Sequence, residues 1–340
     1  MVSAGAGGRS GLKMRIVFCG TPSFAVPTFK HLLAQAEFEI VGVITQPDRP
    51  RGRGQEVSFS PVKEAALSAT LPVHQPEKIR APEIETLLQK LAADFVVIIA
   101  YGQIIPAKLL PIPKFGWINL HASLLPKYRG AAPINWAIVN GETRTGVTTM
   151  RIDAGMDTGE MLLKREIEIG ARETAPELAA RMSESGAPLM AETLRGLAAG
   201  TIAPKPQNHS EASYAPMLKK EDGRVDWNRP AMEIYNRMRG FAPWPGAYTT
   251  FRGQTCHVWG EPVSKAGGAG LPSGAGVGAA GTLLGEKNEL YVRCGDATVL
   301  RVGLVQLEGR KPVKASDFAN GARLKSSERF GDSGLRGTDG

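Results

Sequence analysis

In the segment Asp94-Phe-Val-Val-Ile-Ile-Ala100 the six residues after the aspartate form an unbroken apolar run, which ends before Tyr101. A strand with one face in water alternates apolar and polar residues, whereas a strand covered on both faces reads as a continuous apolar run. This segment therefore predicts a β-strand inside a sheet that is covered on both sides.

Short strands and helices alternate over the first two hundred residues. Further strands are predicted at 14–19, 39–45, 117–120, 147–152 and 161–169, and helices near 61–69, 82–91, 133–140 and 175–199. This alternation indicates an α/β fold with a doubly wound, mostly parallel sheet. We assign it to residues 14–204 and expect its ligand outside the carboxyl ends of the strands.

The pattern changes near Ala203-Pro-Lys-Pro206. Beyond it, short strands separated by turns and one helix predict a small C-terminal β-barrel of the OB-like kind over residues 205–325. The strands are predicted at 247–251, 255–259, 289–294 and 298–305, and the helix at 230–240. Segments 1–13, 266–281 and 326–340 are rich in glycine and small or polar residues, and we expect them to be flexible.

The charge of the chain is unevenly distributed. The formal net charge is +8. Residues 1–204 hold 22 basic and 19 acidic side chains, a net of +3, and residues 205–325 hold 17 basic and 11 acidic, a net of +6. The C-terminal part is therefore more basic per residue. This suits a polyanionic partner, although many basic proteins bind no nucleic acid.

Hydropathy and cysteine spacing disfavour several classes of protein. The sequence contains no apolar run of about 18 residues, so no transmembrane helix is predicted. The N-terminal residues have no apolar core typical of a signal peptide. We therefore expect a cytoplasmic protein without a membrane partner. Cys19, Cys256 and Cys294 are far apart in the sequence, so we interpret them as buried residues and predict neither a disulfide framework nor a metal site.

Two polar residues end the predicted strand 117–120. In Asn119-Leu-His121 the first and third side chains can project to the same face of the strand. An amide and an imidazole side by side can bind a carbonyl oxygen that becomes an oxyanion. The alternative is that Asn119 bonds to backbone while His121 packs.

Two carboxylates occur in the tight loop Asp153-Ala-Gly-Met-Asp157-Thr-Gly159. A carboxylate near an imidazole can hold the ring in its charged, donating form and accept protons. The alternative for Asp157 is a turn residue that bonds to its own backbone, which is common for aspartate.

Several motifs together resemble the 10-formyltetrahydrofolate-dependent formyltransferases in order and spacing. They are Asn119-Leu-His121, Ser123-Leu-Leu-Pro126, Tyr128-Arg-Gly-Ala-Ala-Pro-Ile134 and the loop Asp153–Gly159. The family members that act on charged initiator tRNA are also similar in Gly20-Thr-Pro-Ser-Phe-Ala25, Thr45-Gln-Pro-Asp-Arg-Pro-Arg-Gly-Arg-Gly54 and Phe241-Ala-Pro-Trp-Pro-Gly246. The resemblance covers roughly residues 14–320, and the chain departs from the family at both termini and in the insert 266–281.

The resemblance implies that Asn119, His121 and Asp157 form the catalytic group. It implies 10-formyltetrahydrofolate as formyl-donor co-substrate, held by Ser123, Leu124, Leu125 and Pro126 and by Tyr101, Gly102, Gln103, Ile104 and Ile105. No metal is implied. The acceptor would be the α-amine of methionyl initiator tRNA, and we expect a monomer.

The loop Arg49-Pro-Arg-Gly-Arg53 alternates cations with turn residues. Such a loop can contact phosphates or stack on bases, and it can equally be a solvated surface loop. In the resembling family this loop enters the acceptor stem of the tRNA, which favours Arg49, Arg51 and Arg53 as tRNA-binding residues.

Three rival hypotheses remain open on the sequence. Another formyl-folate enzyme, acting on a sugar-nucleotide amine or hydrolysing the folate, would share the catalytic group without needing the basic loop. A dinucleotide-binding protein is disfavoured because Gly20-Thr-Pro-Ser-Phe24 does not give the glycine fingerprint after the first strand. A tRNA-binding module without activity is disfavoured because all three catalytic residues are present.

Overall fold

The apolar run lies in the middle of a seven-stranded sheet in the described part of the chain. The structure is a computed structural model that describes residues 13–51, 56–263, 272, 278–325 and 328–331. Up to residue 215 the strands are β1 (Met14–Gly20), β2 (Phe38–Ile44), β3 (Arg49–Arg51), β4 (Glu56–Ser58), β5 (Val73–His74), β6 (Phe95–Ile99), β7 (Trp117–His121), β8 (Arg129–Gly130), β9 (Arg144–Arg151), β10 (Met161–Glu168) and β11 (Tyr214–Ala215). The helices over the same residues are α1 (Val26–Leu33), α2 (Pro61–Ser68), α3 (Pro82–Leu91), α4 (Pro133–Val139) and α5 (Ala175–Ala199).

The strands of this sheet run in the order β10-β9-β7-β6-β1-β2-β5. Those from β7 to β5 pair in parallel, whereas β9 is antiparallel to both β7 and β10. All five residues of β6 are buried, as expected of a strand with both faces covered. The mostly parallel α/β sheet predicted from the sequence is confirmed.

One apolar core lies between the sheet and α3. Helix α3 places Ile84 and Leu88 four residues apart on one face, where they pack with Val17 of β1 and with Val96 and Ile98 of β6. Residues four apart share a helix face and residues two apart share a strand face, so the sequence pattern determines which side chains of each element can face this core.

The parallel strands bring their carboxyl ends to one edge of the sheet. Strand β2 is followed by the loop 49–53, called here the arginine loop. Strand β6 is followed by residues 101–105, and β7 by residues 123–126. Segments far apart in sequence are thereby gathered at the edge where open α/β sheets bind their ligands.

The chain divides into two compact units. The first contains residues up to Gly130, Arg144–Glu168 and Ala179–Ala215; the second contains Ala131–Thr143, Ile169–Leu178 and the residues from Pro216 onward. Residues 205–215, which the sequence analysis assigned to the C-terminal domain, belong to the first unit because β11 pairs with β8 in that unit.

The second unit is built on an antiparallel sheet. Its helices after residue 215 are α6 (Ala231–Gly240) and α7 (Ala315–Ala322), and its strands are β12 (Tyr248–Phe251), β13 (Gln254–Pro262), β14 (Leu283–Glu286), β15 (Glu289–Arg293), β16 (Val299–Leu307) and β17 (Val313–Lys314). The order is β12-β13-β16-β15-β14, with β17 beside β16. The C-terminal part is thus an antiparallel β-sheet domain, in agreement with the predicted all-β class, and among the described residues β12 and β14 do not pair with each other.

Aromatic side chains fill the core of the second unit. Trp227 stacks on Phe330 with ring centroids 5.6 Å apart. Phe251 and Phe318 also pack against the ring of Phe330. Within 326–340 the structure describes residues 328–331, and Phe330 is buried in this core. The remaining residues of this tail, residues 1–12, and 266–271 and 273–277 of the insert lie outside the described residues.

The helices that the structure describes include none that is both long and apolar enough to cross a bilayer.

Candidate active site

His121 is the last residue of β7 and lies at the carboxyl edge of the sheet, with a side chain only 6% exposed. Its Nε2 is 2.9 Å from the Tyr128 carbonyl oxygen. A carbonyl can only accept, so Nε2 carries a hydrogen and donates it. Nδ1 then faces the Oδ2 atom of Asp157 at 3.6 Å, slightly beyond hydrogen-bonding distance.

This geometry has a consequence for the charge of the ring. If His121 is neutral with its hydrogen on Nε2, the Nδ1 lone pair points toward a carboxylate, which is repulsive. If Nδ1 is also protonated, the ring and the Asp157 carboxylate attract each other. Nδ1 makes no hydrogen bond within the part of the chain that the structure describes, and a hydrogen on it can be donated to a substrate oxygen.

Asn119 lies two residues before His121 on the same strand and is half-buried. Its side-chain amide makes no hydrogen bond to any residue within the described ranges. The structure thus shows no contact of the kind that the alternative reading of Asn119, bonding to backbone, requires. An amide donor held at a strand end without an internal partner suits an oxyanion site.

Asp157 reaches His121 from an unexpected direction. Strand β9 runs antiparallel to β7 and ends beside its beginning, since Arg151 pairs with Ile118. Three residues of a strand separate Ile118 from His121, or roughly 10 Å at the usual rise. The loop after β9 must therefore fold back along the sheet to bring Asp157 to the ring.

Two features of the loop hold Asp157 in place. The backbone N–H of Gly130 donates to its Oδ2 at 2.9 Å, and its backbone has φ of +53°, a conformation that aspartate tolerates better than most residues. The loop is tightened by the hydroxyl of Thr158, which donates to Asp153 at 2.7 Å. The Asp157 side chain is bonded by the backbone of another segment, which differs from the self-bonded turn considered above.

Segment 205–215 holds the loops on both sides of the ring. The Ser213 hydroxyl accepts from the N–H of Tyr128, and the Ser213 carbonyl accepts from the N–H of Arg129. The Gln207 amide donates to the carbonyl oxygens of Asp157 and Gly159, each at 2.8 Å. Tyr128 supplies the carbonyl that fixes His121, so this one segment supports both partners of the imidazole.

Arg129 is fully enclosed beside this segment, with 1% of its surface exposed. Its guanidinium donates twice to the Gln207 side-chain oxygen, at 3.0 and 2.7 Å, and lies 3.2 Å from Nδ1 of His209. Arg129 and Gly130 belong to one of the sequence motifs but had no predicted role, and Gln207 and Ser213 were not predicted. No local pattern marks these last two, since they lie in irregular backbone.

The Ser123–Pro126 segment, expected to hold folate, directly follows β7. The Ser123 hydroxyl donates to the Lys127 carbonyl at 2.6 Å, while Thr148 donates to the Ser123 carbonyl and accepts from the Leu125 N–H. Lys164 donates to the Leu125 carbonyl, and burial lowers the pKa of this lysine. The polar atoms of the segment thus fix its own shape, and contact of its residues with a ligand stays a prediction.

The second segment expected to hold folate, Tyr101–Ile105, is more open. Ile104 is 85% exposed; a single exposed apolar side chain is common on protein surfaces, so its exposure does not by itself mark a ligand contact. Gly102 is exposed too, with φ of +89°. The flanking residues Tyr101 and Ile105 are buried, so the backbone of this segment is anchored while its middle faces outward. Contact of Tyr101, Gly102, Gln103, Ile104 and Ile105 with a folate stays a prediction.

The base of the arginine loop is tied to this second segment by glutamines. Gln46 donates to the Tyr101 carbonyl at 2.9 Å and accepts from Gln103 at 3.2 Å. Gln75 donates both to the Gln46 carbonyl and to Asp48, each at 2.9 Å.

The first residues of the arginine loop form β3, which pairs antiparallel with β4. Asp48 forms an ion pair with Lys63 at its base, and this contact lowers the pKa of Asp48. Arg49 is exposed. The backbone of Arg51 lies in β3, and Arg53 lies outside the described residues.

Potential metal ligands do not cluster within the ranges that the structure describes, where no group of three or more His, Cys, Asp or Glu side chains could hold an ion. The three cysteines are free and buried, as predicted.

Comparison with known proteins gives matches over nearly the whole chain. Residues 14–194 match the family model described as formyl transferase, and residues 217–323 match that of its C-terminal domain. A protein of Solibacter usitatus named methionyl-tRNA formyltransferase is 55% identical over 95% of this chain and 100% of its own length. One of the same name from Geobacter sulfurreducens is 49% identical over 94% of this chain and 98% of its own.

A solved structure supports the fold. The sugar 3N-formyl transferase WlaRD, studied with dTDP and 5-N-formyl-THF, aligns with a TM-score of 0.60 at 19% identity, over 88% of this chain and all of its own. The matches to both family models, together with relatives about half identical over their full length, show that the chain belongs to the formyl transferase family.

Proposed function

We propose that this protein transfers a formyl group from 10-formyltetrahydrofolate to the α-amine of methionyl initiator tRNA, in the cytoplasm and as a monomer. The observation that carries the proposal is that relatives named methionyl-tRNA formyltransferase match the chain over both of its units. A sugar formyl transferase also aligns over 88% of this chain, but at 19% identity, against 55% for the relative named methionyl-tRNA formyltransferase.

The chemistry needs a stabilised oxygen and an outlet for a proton. When the methionyl amine attacks the formyl carbon, the formyl oxygen becomes negative and the amine becomes acidic. The donors for that oxygen are the Asn119 amide and the Nδ1–H of charged His121, each contributing on the order of 3 kcal/mol. Asp157 stabilises the charged ring and, through water, passes the amine proton to the folate nitrogen, while the bond between that nitrogen and the formyl carbon breaks and tetrahydrofolate leaves.

The folate-holding residues follow from the same edge of the sheet. Ile104 and the backbone of Gly102 would hold the ring system, and the Ser123–Pro126 segment would form the opposite wall through the half-buried Leu124. The donor supplies the formyl group, and the protein supplies position and charge.

The tRNA would be recognised by positive charge. Arg49, Arg51 and Arg53 would meet the acceptor end, and an exposed run in the second unit, Arg310, Lys311 and Lys314, offers further phosphate contacts. Two other cations of this unit are paired with acids, Arg301 with Glu289 and Arg252 with Glu328.

Formylation of defined acceptors tests the proposal. The protein is incubated with 10-formyltetrahydrofolate and either charged methionyl initiator tRNA, free methionine or an amino-sugar nucleotide, and formylated product is measured. Product only with the charged tRNA supports the proposal. Turnover of the sugar nucleotide in place of the tRNA would contradict it, as would release of formate with no acceptor modified.

A further inference from the structure

Gln207 links a buried cation to the loop that carries Asp157. The side chain is 6% exposed and uses both ends of its amide. Its oxygen accepts two hydrogen bonds from Arg129, and its nitrogen donates to the carbonyls of Asp157 and Gly159.

These partners determine the orientation of the amide. A guanidinium can only donate and backbone carbonyls can only accept, so the oxygen must face Arg129 and the nitrogen must face the loop. This position requires an amide, because an acid or an apolar residue of similar size cannot both accept from Arg129 and donate to the backbone carbonyls.

The direction of the Asp157 loop makes this link important. The loop begins at the far end of β7 from His121 and must fold back along the sheet. Its anchors to other segments near Asp157 are the Gly130 N–H on the carboxylate and the Gln207 amide on the backbone. The first orients the side chain, and the second fixes where the backbone lies.

We propose that Gln207, held by buried Arg129, is a positioning residue that sets the distance between Asp157 and His121. This inference rests on the proposed role of Asp157 in the reaction. Without the two hydrogen bonds from Gln207, the loop relaxes, and a displacement of about 1 Å at a catalytic group can lower the rate on the order of a hundredfold.

The substitution Gln207→Glu tests this role selectively. It keeps an oxygen for Arg129 but replaces the donating nitrogen by a second oxygen, which repels the carbonyls of Asp157 and Gly159. We expect kcat to fall at least tenfold while KM for folate and for charged tRNA changes less than twofold. Gln207→Met, which has similar length and no donor, should show the same pattern. Gln89→Glu, the same change at an exposed position of α3, serves as control.

A double-mutant cycle separates positioning from general stability. If Gln207 acts through Asp157, adding Gln207→Glu to Asp157→Asn should slow single-turnover formylation less than twofold further. Circular dichroism and thermal unfolding establish that each variant is folded.

Different negative results contradict different parts of the proposal. Losses that multiply in the double variant, a raised KM with unchanged kcat, or failure of both Gln207 variants to fold would overturn the inference. If Asp157→Asn alone formylates at near wild-type rate, the proposed role of Asp157 fails. If Asp157→Asn is slow but both Gln207 variants are fast, only the inference about Gln207 fails.

Discussion

Replacing Asp157 by asparagine is the sharpest test of the proposed mechanism. The change removes one negative charge but retains a side-chain oxygen that can accept from the Gly130 N–H, now 2.9 Å from Oδ2. The φ of +53° at this position is also tolerated by asparagine. We therefore expect the variant to fold and to bind folate normally.

The expected loss follows from the distance between the charges. At 3.6 Å and an effective dielectric constant of about 20, opposite unit charges attract by roughly 4 to 5 kcal/mol. Asp157 is 18% exposed, so water weakens this attraction. A loss of about 3 to 4 kcal/mol in the transition state corresponds to a chemical step roughly a hundredfold to a thousandfold slower.

Single-turnover formylation of charged methionyl-tRNA measures the chemical step directly. Folate affinity by titration and unfolding temperature by calorimetry serve as controls for the site and the fold. A single-turnover rate within threefold of wild type, in a folded variant, would refute the placement of Asp157 beside a charged His121 in the mechanism.

Three further predictions concern tRNA use, backbone space and pH. Arg49→Ala should raise KM for charged tRNA and flatten the dependence of log binding on log salt by about one unit, with folate binding unchanged; an unchanged slope would remove Arg49 from the tRNA contacts. Gly130→Ala should destabilise the fold by more than about 1 kcal/mol in denaturant titrations, because a Cβ would lie 2.7 Å from the Ala215 carbonyl and φ is +116°; wild-type stability would show that the backbone adapts freely. The lowered pKa of Asp48, caused first by its hydrogen bond to Lys63, means that this pair stabilises the fold fully above the unfolded pKa near 3.8 and less as pH falls toward the folded pKa. Lys63→Met should remove that part of the acid dependence of stability, and an identical acid profile in both proteins would contradict this assignment.

Local sequence pattern predicted the longer strands of the first unit, but not its short strands β3, β4, β5, β8 and β11. The run 95–99 is a strand covered on both faces, as predicted, and α3 was predicted with its observed bounds. Elements without a strong local signal were not predicted. Strand β14 contains Gly285, β17 has two residues, and α7 carries Gly321 near its end. Their apolar periodicity is too short or too interrupted to indicate a type of element.

The sequence by itself also determined where His121 lies, since a strand end fixes the direction of its side chains, and the catalytic role of Asn119, His121 and Asp157 stays a prediction. Only the tertiary structure decided how Asp157 reaches that ring. The loop starts at the opposite end of β7, and beside the ring it accepts hydrogen bonds from Gly130 and from Gln207, fifty residues farther along the chain. Contacts between irregular segments leave no periodic trace in sequence, because a hydrogen-bonded side chain in a loop looks the same as a solvated one until the chain has folded.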